Sequence, residues 1–132
     1  MSTRSNSDNC CEQRIDAEMK DRLEDIRRRL SDPDETLDEY GLCFDYVAPG
    51  TFSDQAEGYF RYQLSWGGPS DEFRFFVNPN LSCHRIEYWF LDWFDGAHRA
   101  LTSNETATAI WQSFEECGCV QAAFARAMDS PP

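Results

Sequence analysis

Apolar residues recur at helical spacing early in the chain. Ile15, Met19, Leu23, Ile26 and Leu30 lie 4, 4, 3 and 4 residues apart, forming one stripe on a helix that ends near Leu30. A stripe this narrow docks on a core and does not form its centre. Ser31-Asp32-Pro33 interrupts it, because proline disfavours helical geometry in the preceding residue and suits the first turn of a new helix. A short helix over residues 33–40 is therefore expected, closed by Gly41 in the left-handed conformation.

The period then changes from helical to alternating. Residues 42–47, 58–66, 72–77 and 84–93 are rich in aromatic and β-branched side chains and are bounded by Gly, Pro, Asn or Asp, which predicts four strands. A loop over residues 67–70 would pair Trp66 with Asp71, Leu64 with Phe73, Tyr62 with Phe75 and Phe60 with Val77 on an apolar face. Gln63 and Arg74, with Arg61 and Phe76, would then form an amphipathic opposite face. The fourth strand is apolar on both sides, with Ile86, Tyr88 and Phe90 on one and Trp89, Leu91 and Trp93 on the other. Either helices cover both sides of it, which is the expected outcome, or part of the second side is left for a partner.

Asp95-Gly96 reads as a turn, and residues 97–101 as a short fifth strand or a loop. The run from Thr102 to Glu105 has the capping-box pattern, with Thr102 as the cap of a helix that buries Ala107, Ile110, Trp111 and Phe114. Gly118 should end or kink that helix, and Val120, Phe124 and Met128 continue an amphipathic turn or two. The order of elements predicts an α+β domain over residues 12–129: an antiparallel β-meander of about four strands flanked by N-terminal and C-terminal helices, behind a disordered lead of residues 1–11.

Charge narrows the function. In 132 residues, 24 acidic side chains oppose 12 basic ones, a formal charge of -12, while 41% hydrophobic and 14% aromatic content is too high for a disordered chain. Direct binding to nucleic acid or an anionic membrane would set like charge against like, so a basic partner is favoured. The first 30 residues contain no continuous apolar segment that could act as a signal peptide or membrane helix, which predicts a cytoplasmic protein whose six cysteines are free thiols.

No residue pattern announces a reaction. His84 and His98 fall in no nucleophile or metalloprotease motif, and Cys83 beside His84 on a strand would point to the opposite face. Cys117-Gly118-Cys119 could hold zinc only with two further ligands, such as Cys83, His84 or Cys43, and these show no paired spacing. The run from Asp32 to Thr36 lacks the alternating oxygens and central glycine of a calcium loop. No catalytic residue, metal or cofactor is therefore expected.

The densest chemistry is acidic. Asp32, Asp34, Glu35, Asp38 and Glu39 crowd together, and the i, i+4 pairs Asp34–Asp38 and Glu35–Glu39 each cost a helix roughly 0.2–0.5 kcal/mol. A helix dipole favours the first two of those four but disfavours the last two, so a role outside helix stability is indicated. With Asp45, Asp54 and Glu57 they could form a ridge imitating the phosphates of duplex DNA, spaced about 1.7 Å along its axis. Trp66, Trp89 and Trp93 are candidate apolar anchors wherever they are exposed.

The aromatic runs GYFRYQLSWGGPSDEFRFFV and IEYWFLDWFDGAHRAL resemble small uncharacterised proteins of bacterial plasmids and integrative elements, over roughly residues 37–124. Such genes sit among anti-restriction and anti-CRISPR genes, whose products are short acidic proteins that bind host nuclease complexes. The resemblance implies a class of partner and carries over no site residue. The expected function is non-enzymatic inhibition of a nucleic-acid-handling defence complex by binding its basic surface. The alternatives are an immunity protein for a basic toxin and a small cysteine or zinc protein.

Overall fold

The computed structural model describes residues 10–32, 37–67, 69–92 and 95–129. Helix α1 (Cys11–Leu30) and the short α2 (Leu37–Tyr40) precede strands β1 (Cys43–Val47), β2 (Tyr59–Ser65), β3 (Ser70–Val77), β4 (Cys83–Asp92) and β5 (Asp95–Ala100). Helices α3 (Glu105–Glu116) and α4 (Cys119–Asp129) follow. The strands form one antiparallel sheet in the order β1-β2-β3-β4-β5, an α+β fold with five strands where about four were expected. Asp95 and Gly96 belong to β5 and make no turn.

The helices gather on one face of the sheet. Phe60, Tyr62, Phe73, Phe75, Tyr88 and Phe90 project into the same core as Ile15 and Ile26 of α1 and Ile110, Trp111 and Phe114 of α3. Each such apolar side chain taken from water contributes about 1.5–3 kcal/mol. Phe114 stacks 4.0 Å from Phe44 and meets Tyr62 edge-on at 4.9 Å, while Phe124 of α4 meets Tyr46 at 5.0 Å. Leu30 ends the α1 stripe exposed, past the edge of this core.

A buried polar chain ties α1 to the sheet. Asp71 accepts hydrogen bonds from Arg22 Nε (2.7 Å) and Nη2 (3.0 Å), from the Tyr88 hydroxyl (2.6 Å) and from the Ser65 hydroxyl. Arg22 Nη1 also reaches Tyr40 Oη at 3.1 Å, and the Tyr40 hydroxyl donates to Asp25 at 3.1 Å. At the far edge, Arg99 of β5 holds Glu12 and Asp16, Arg14 holds Asp92, and the Cys11 N–H donates to Asp95 at 2.7 Å.

Several expectations change in detail. The β2–β3 hairpin keeps the expected faces but slips by two residues, pairing Phe60 with Phe75 and Tyr62 with Phe73. A bulge between Gln63 and Ser65 brings Ser65 opposite Asp71, where its hydroxyl joins the buried carboxylate. Asn104, not Thr102, caps α3: its Oδ1 accepts the Ala107 N–H at 2.9 Å, while the Thr102 hydroxyl is occupied by the Ile86 N–H. The helices cover only one side of β4, so Trp89 and Leu91 lie on an open face and are half-buried there.

The expected helix over residues 33–40 is described only from Leu37 to Tyr40, residues 33–36 lying outside the described residues, as do residues 1–9 of the expected lead. Cys11 opens α1 and is buried. Gly41 is not left-handed. Its need for glycine is a close approach, since a Cβ there would sit 2.3 Å from Tyr62 Cε1. Gly118 does take the left-handed conformation, φ +83°, at the break between α3 and α4.

Gly41→Ala is expected to destabilise the protein by about 1–3 kcal/mol in denaturant unfolding, because the Tyr62 ring is held by its hydrogen bond to Leu37 O and cannot yield freely. Burial pushes the Tyr40, Tyr46, Tyr59 and Tyr88 phenols above their ordinary 10.0. Their neutral forms are favoured in the fold, so this contribution to stability is complete below pH 10 and declines as the unfolded phenols ionise above it. Burial likewise raises the Cys11, Cys43 and Cys83 thiols from 9.0, so unfolding free energies measured from pH 8 to 11 should begin to fall near about pH 9 and fall more steeply above about pH 10.

Candidate functional site on the open sheet face

Strand alternation places three rows of side chains on the face without helices. Across the sheet, one row reads Asp45, Arg61, Arg74 and Glu87; the next reads Cys43, Gln63, Glu72, Trp89 and His98; the third reads Val47, Tyr59, Phe76 and Arg85. Aromatic and charged residues therefore interleave; each guanidinium finds an acid, and those of Arg74 and Arg85 also lie on rings. Arg61 is bidentate to Asp45, at 3.1 and 2.8 Å. Arg74 Nε donates to Glu72 at 2.6 Å, and its guanidinium lies 3.9 Å from the Trp89 ring centre and 5.0 Å from that of Tyr59. Arg85 reaches Glu57 at 2.8 Å and Glu87 at 3.1 Å while stacking 3.9 Å over Phe76.

Trp89 is enclosed by this lattice. Arg74 stacks on its ring from β3, His98 stacks on it from β5 at 4.4 Å and 13°, and its Nε1–H donates to Glu87 at 2.9 Å. A ring with neighbours from both flanking strands and its one donor engaged is poorly placed to stack on a nucleic-acid base.

A hollow of about 570 Å³ opens beside it, lined by Tyr59, Arg74, Phe76, Arg85, Glu87, Trp89 and His98 and walled by residues 52–57. Gln55 braces that wall: its Nε2 donates to Ala48 O and Glu57 O at 3.0 and 2.7 Å, and its Oε1 accepts the Phe52 N–H. The bracing leaves Phe52 and Asp54 exposed at the rim. Asp45, Asp54, Glu57, Glu72 and Glu87 oppose Arg61, Arg74 and Arg85 on and around this face, so the local balance is negative. The hollow suits a cationic side chain better than an anion.

Asp32 is exposed; Asp34 and Glu35 lie outside the described residues, as do the side chains of Asp38 and Glu39. Asp45 and Glu57, expected in an acidic ridge, are engaged with arginines of the open face because the meander brings Arg61 and Arg85 beside them. Trp66 is 67% exposed in the β2–β3 loop, Trp89 is half-buried, and Trp93 lies outside the described residues. Cys83 and His84 diverge as expected for a strand: His84 pairs with Glu57 at 3.2 Å, and burial pushes the Cys83 thiol up to about 11. Among the described residues, no three His, Cys, Asp or Glu side chains gather as metal ligands, and no helix is long and apolar enough to cross a membrane.

Sequence reasoning missed the arginine lattice and the hollow. The available signal was the repeated alternation of Arg with aromatic residues in β2, β3 and β4. No family model matches the chain, and no curated protein and no solved structure matches it.

Arg74→Met should strand the nearly buried Glu72 carboxylate and cost about 3 kcal/mol in denaturant unfolding. Adding Glu72→Gln should recover more than half of that loss, which an equilibrium double-mutant cycle would read directly.

Proposed function

We propose that the protein acts by binding, as an acidic inhibitor that occupies a basic surface of a nucleic-acid-handling defence complex and denies it to nucleic acid. One observation carries the reading. Arg14, Arg22, Arg28, Arg61, Arg74, Arg85 and Arg99 each lie in an ion pair with a carboxylate of the same chain. At least seven of the 12 basic side chains, all seven among the described residues, are thus neutralised internally, while 24 carboxylates are present in all. The surplus faces solvent as unbalanced acid, at Asp54, Glu115 and Glu116 among others.

A molecule with that surplus is drawn to basic proteins, above all to those whose own ligand is a polyanion. The acidic run from Asp32 to Glu39 supplies long-range attraction, and the hollow beside Trp89 supplies a place for one basic side chain of the partner. Inhibition then needs no reaction, only competition for the same cationic groups.

The test starts from a partner captured from bacterial lysate on the immobilised protein. Its association rate should fall by about tenfold or more from low to physiological salt, and oligonucleotide should compete for it. Replacing Asp34, Glu35, Asp38 and Glu39 together by Asn or Gln should leave the melting temperature equal or slightly higher and weaken binding about tenfold or more. A quadruple variant that binds and inhibits like the parent would sink the acidic-run part of the reading.

A further inference from the structure

The Cys-Gly-Cys turn is not used by the binding reading, yet it brings two sulfurs together. Cys117 ends α3 and Cys119 begins α4, with Gly118 between them at φ +83°. That left-handed step, which glycine makes without steric cost, reverses the local backbone so that the two side chains converge. Their Sγ atoms lie 2.6 Å apart, roughly half an ångström beyond the bonded distance of about 2.05 Å. Cys117 is exposed and Cys119 half-buried.

We propose that Cys117 and Cys119 form a reversible dithiol–disulfide couple, oxidised by exchange with a low-molecular-mass disulfide. The exposed Cys117 thiolate attacks one sulfur of the reagent R–S–S–R, forming a mixed disulfide and expelling R–S⁻, which takes up a proton. The Cys119 thiolate then attacks the Cys117 sulfur, forming the internal S–S bond and expelling the second R–S⁻. The protein sulfurs lose two electrons and two protons, and the reagent leaves as two R–SH. The proximity of Cys119 makes the second step intramolecular, which favours a closed disulfide over a lingering mixed one.

The couple is suited to cycling and not to holding the fold. A bridge between residues two apart closes a very short loop, so it removes far less unfolded-state entropy than a bridge over a long one. The oxidised form is therefore held only weakly against reduction. The surroundings also select the reagent: Glu115 and Glu116 are exposed immediately before Cys117, so a neutral disulfide should react faster than an anionic one.

The experiment treats the reduced protein with excess 2-hydroxyethyl disulfide, removes the reagent, alkylates the remaining thiols under denaturing conditions and determines the mass. Expected is a chain lighter by two hydrogens, with two of its six cysteines protected and the cross-link mapped to the peptide containing residues 117–119. Dithiothreitol should restore all six. In Cys117→Ser and Cys119→Ser, the remaining cysteine should instead retain the hydroxyethylthio group. Oxidised glutathione, which is anionic, should act several-fold more slowly than the neutral reagent. The proposal is overturned if both thiols stay free while other cysteines react, if the parent protein accumulates a stable mixed disulfide at Cys117, or if the cross-link joins a different pair.

Discussion

Asp71 is the point at which this fold is tied. A carboxylate this deeply buried is tolerable only when its oxygens are matched, and Arg22, Tyr88 and Ser65 match them from three other elements. Loss of one partner leaves the other charge stranded, typically at a cost of about 3–5 kcal/mol, a large fraction of a domain's net stability. The same contact sets the position of α1 on the sheet. Through Arg22 and Tyr40 it extends to Asp25, so the first helix, the short second helix and strands β2 to β4 share one polar chain beside the aromatic core.

That rule of matched guanidiniums runs through the molecule and determines what it shows to others. On the open face, Arg61, Arg74 and Arg85 each sit against an acid, and Arg74 and Arg85 also sit on rings. At the sheet edge, Arg99 and Arg14 fasten α1 to β5 and β4. Cations used this way are poor receptors for phosphate, because any anion must displace a carboxylate that is already in place. Acids that remain unbalanced, such as Asp54 at the rim of the hollow, are free to meet a cation from outside.

The parity of β2, β3 and β4 was legible in the sequence because alternation has a period of two, and their core faces follow from it. Register was not. The bulge before Ser65 answers to the needs of a buried Asp71, whose partner Arg22 is 49 residues away. Strand β5 was left between strand and loop because Ala97 and Ala100 are weak β-formers, and pairing with β4 decides the matter. Thr102 and Asn104 are both competent caps, and the choice between them depends on Ile86 claiming the threonine hydroxyl. The apolar second side of β4 was legible as a feature; that no helix would cover it depends on how the helices share the first side. Pairings such as Arg99 with Glu12 lie 87 residues apart and leave no local trace.

The central claim is that arginines neutralised within the chain leave an outward surface that receives cations. Its most direct test is a two-dimensional ¹H–¹⁵N NMR titration of the protein with an arginine-rich peptide and, separately, with a single-stranded oligonucleotide, following the Trp89 indole N–H and the Asp54 and Glu57 amides. The account predicts that the peptide shifts these signals in a salt-sensitive, saturable manner and that the oligonucleotide leaves them in place. Shifts produced by the oligonucleotide, or none produced by the peptide, would contradict it.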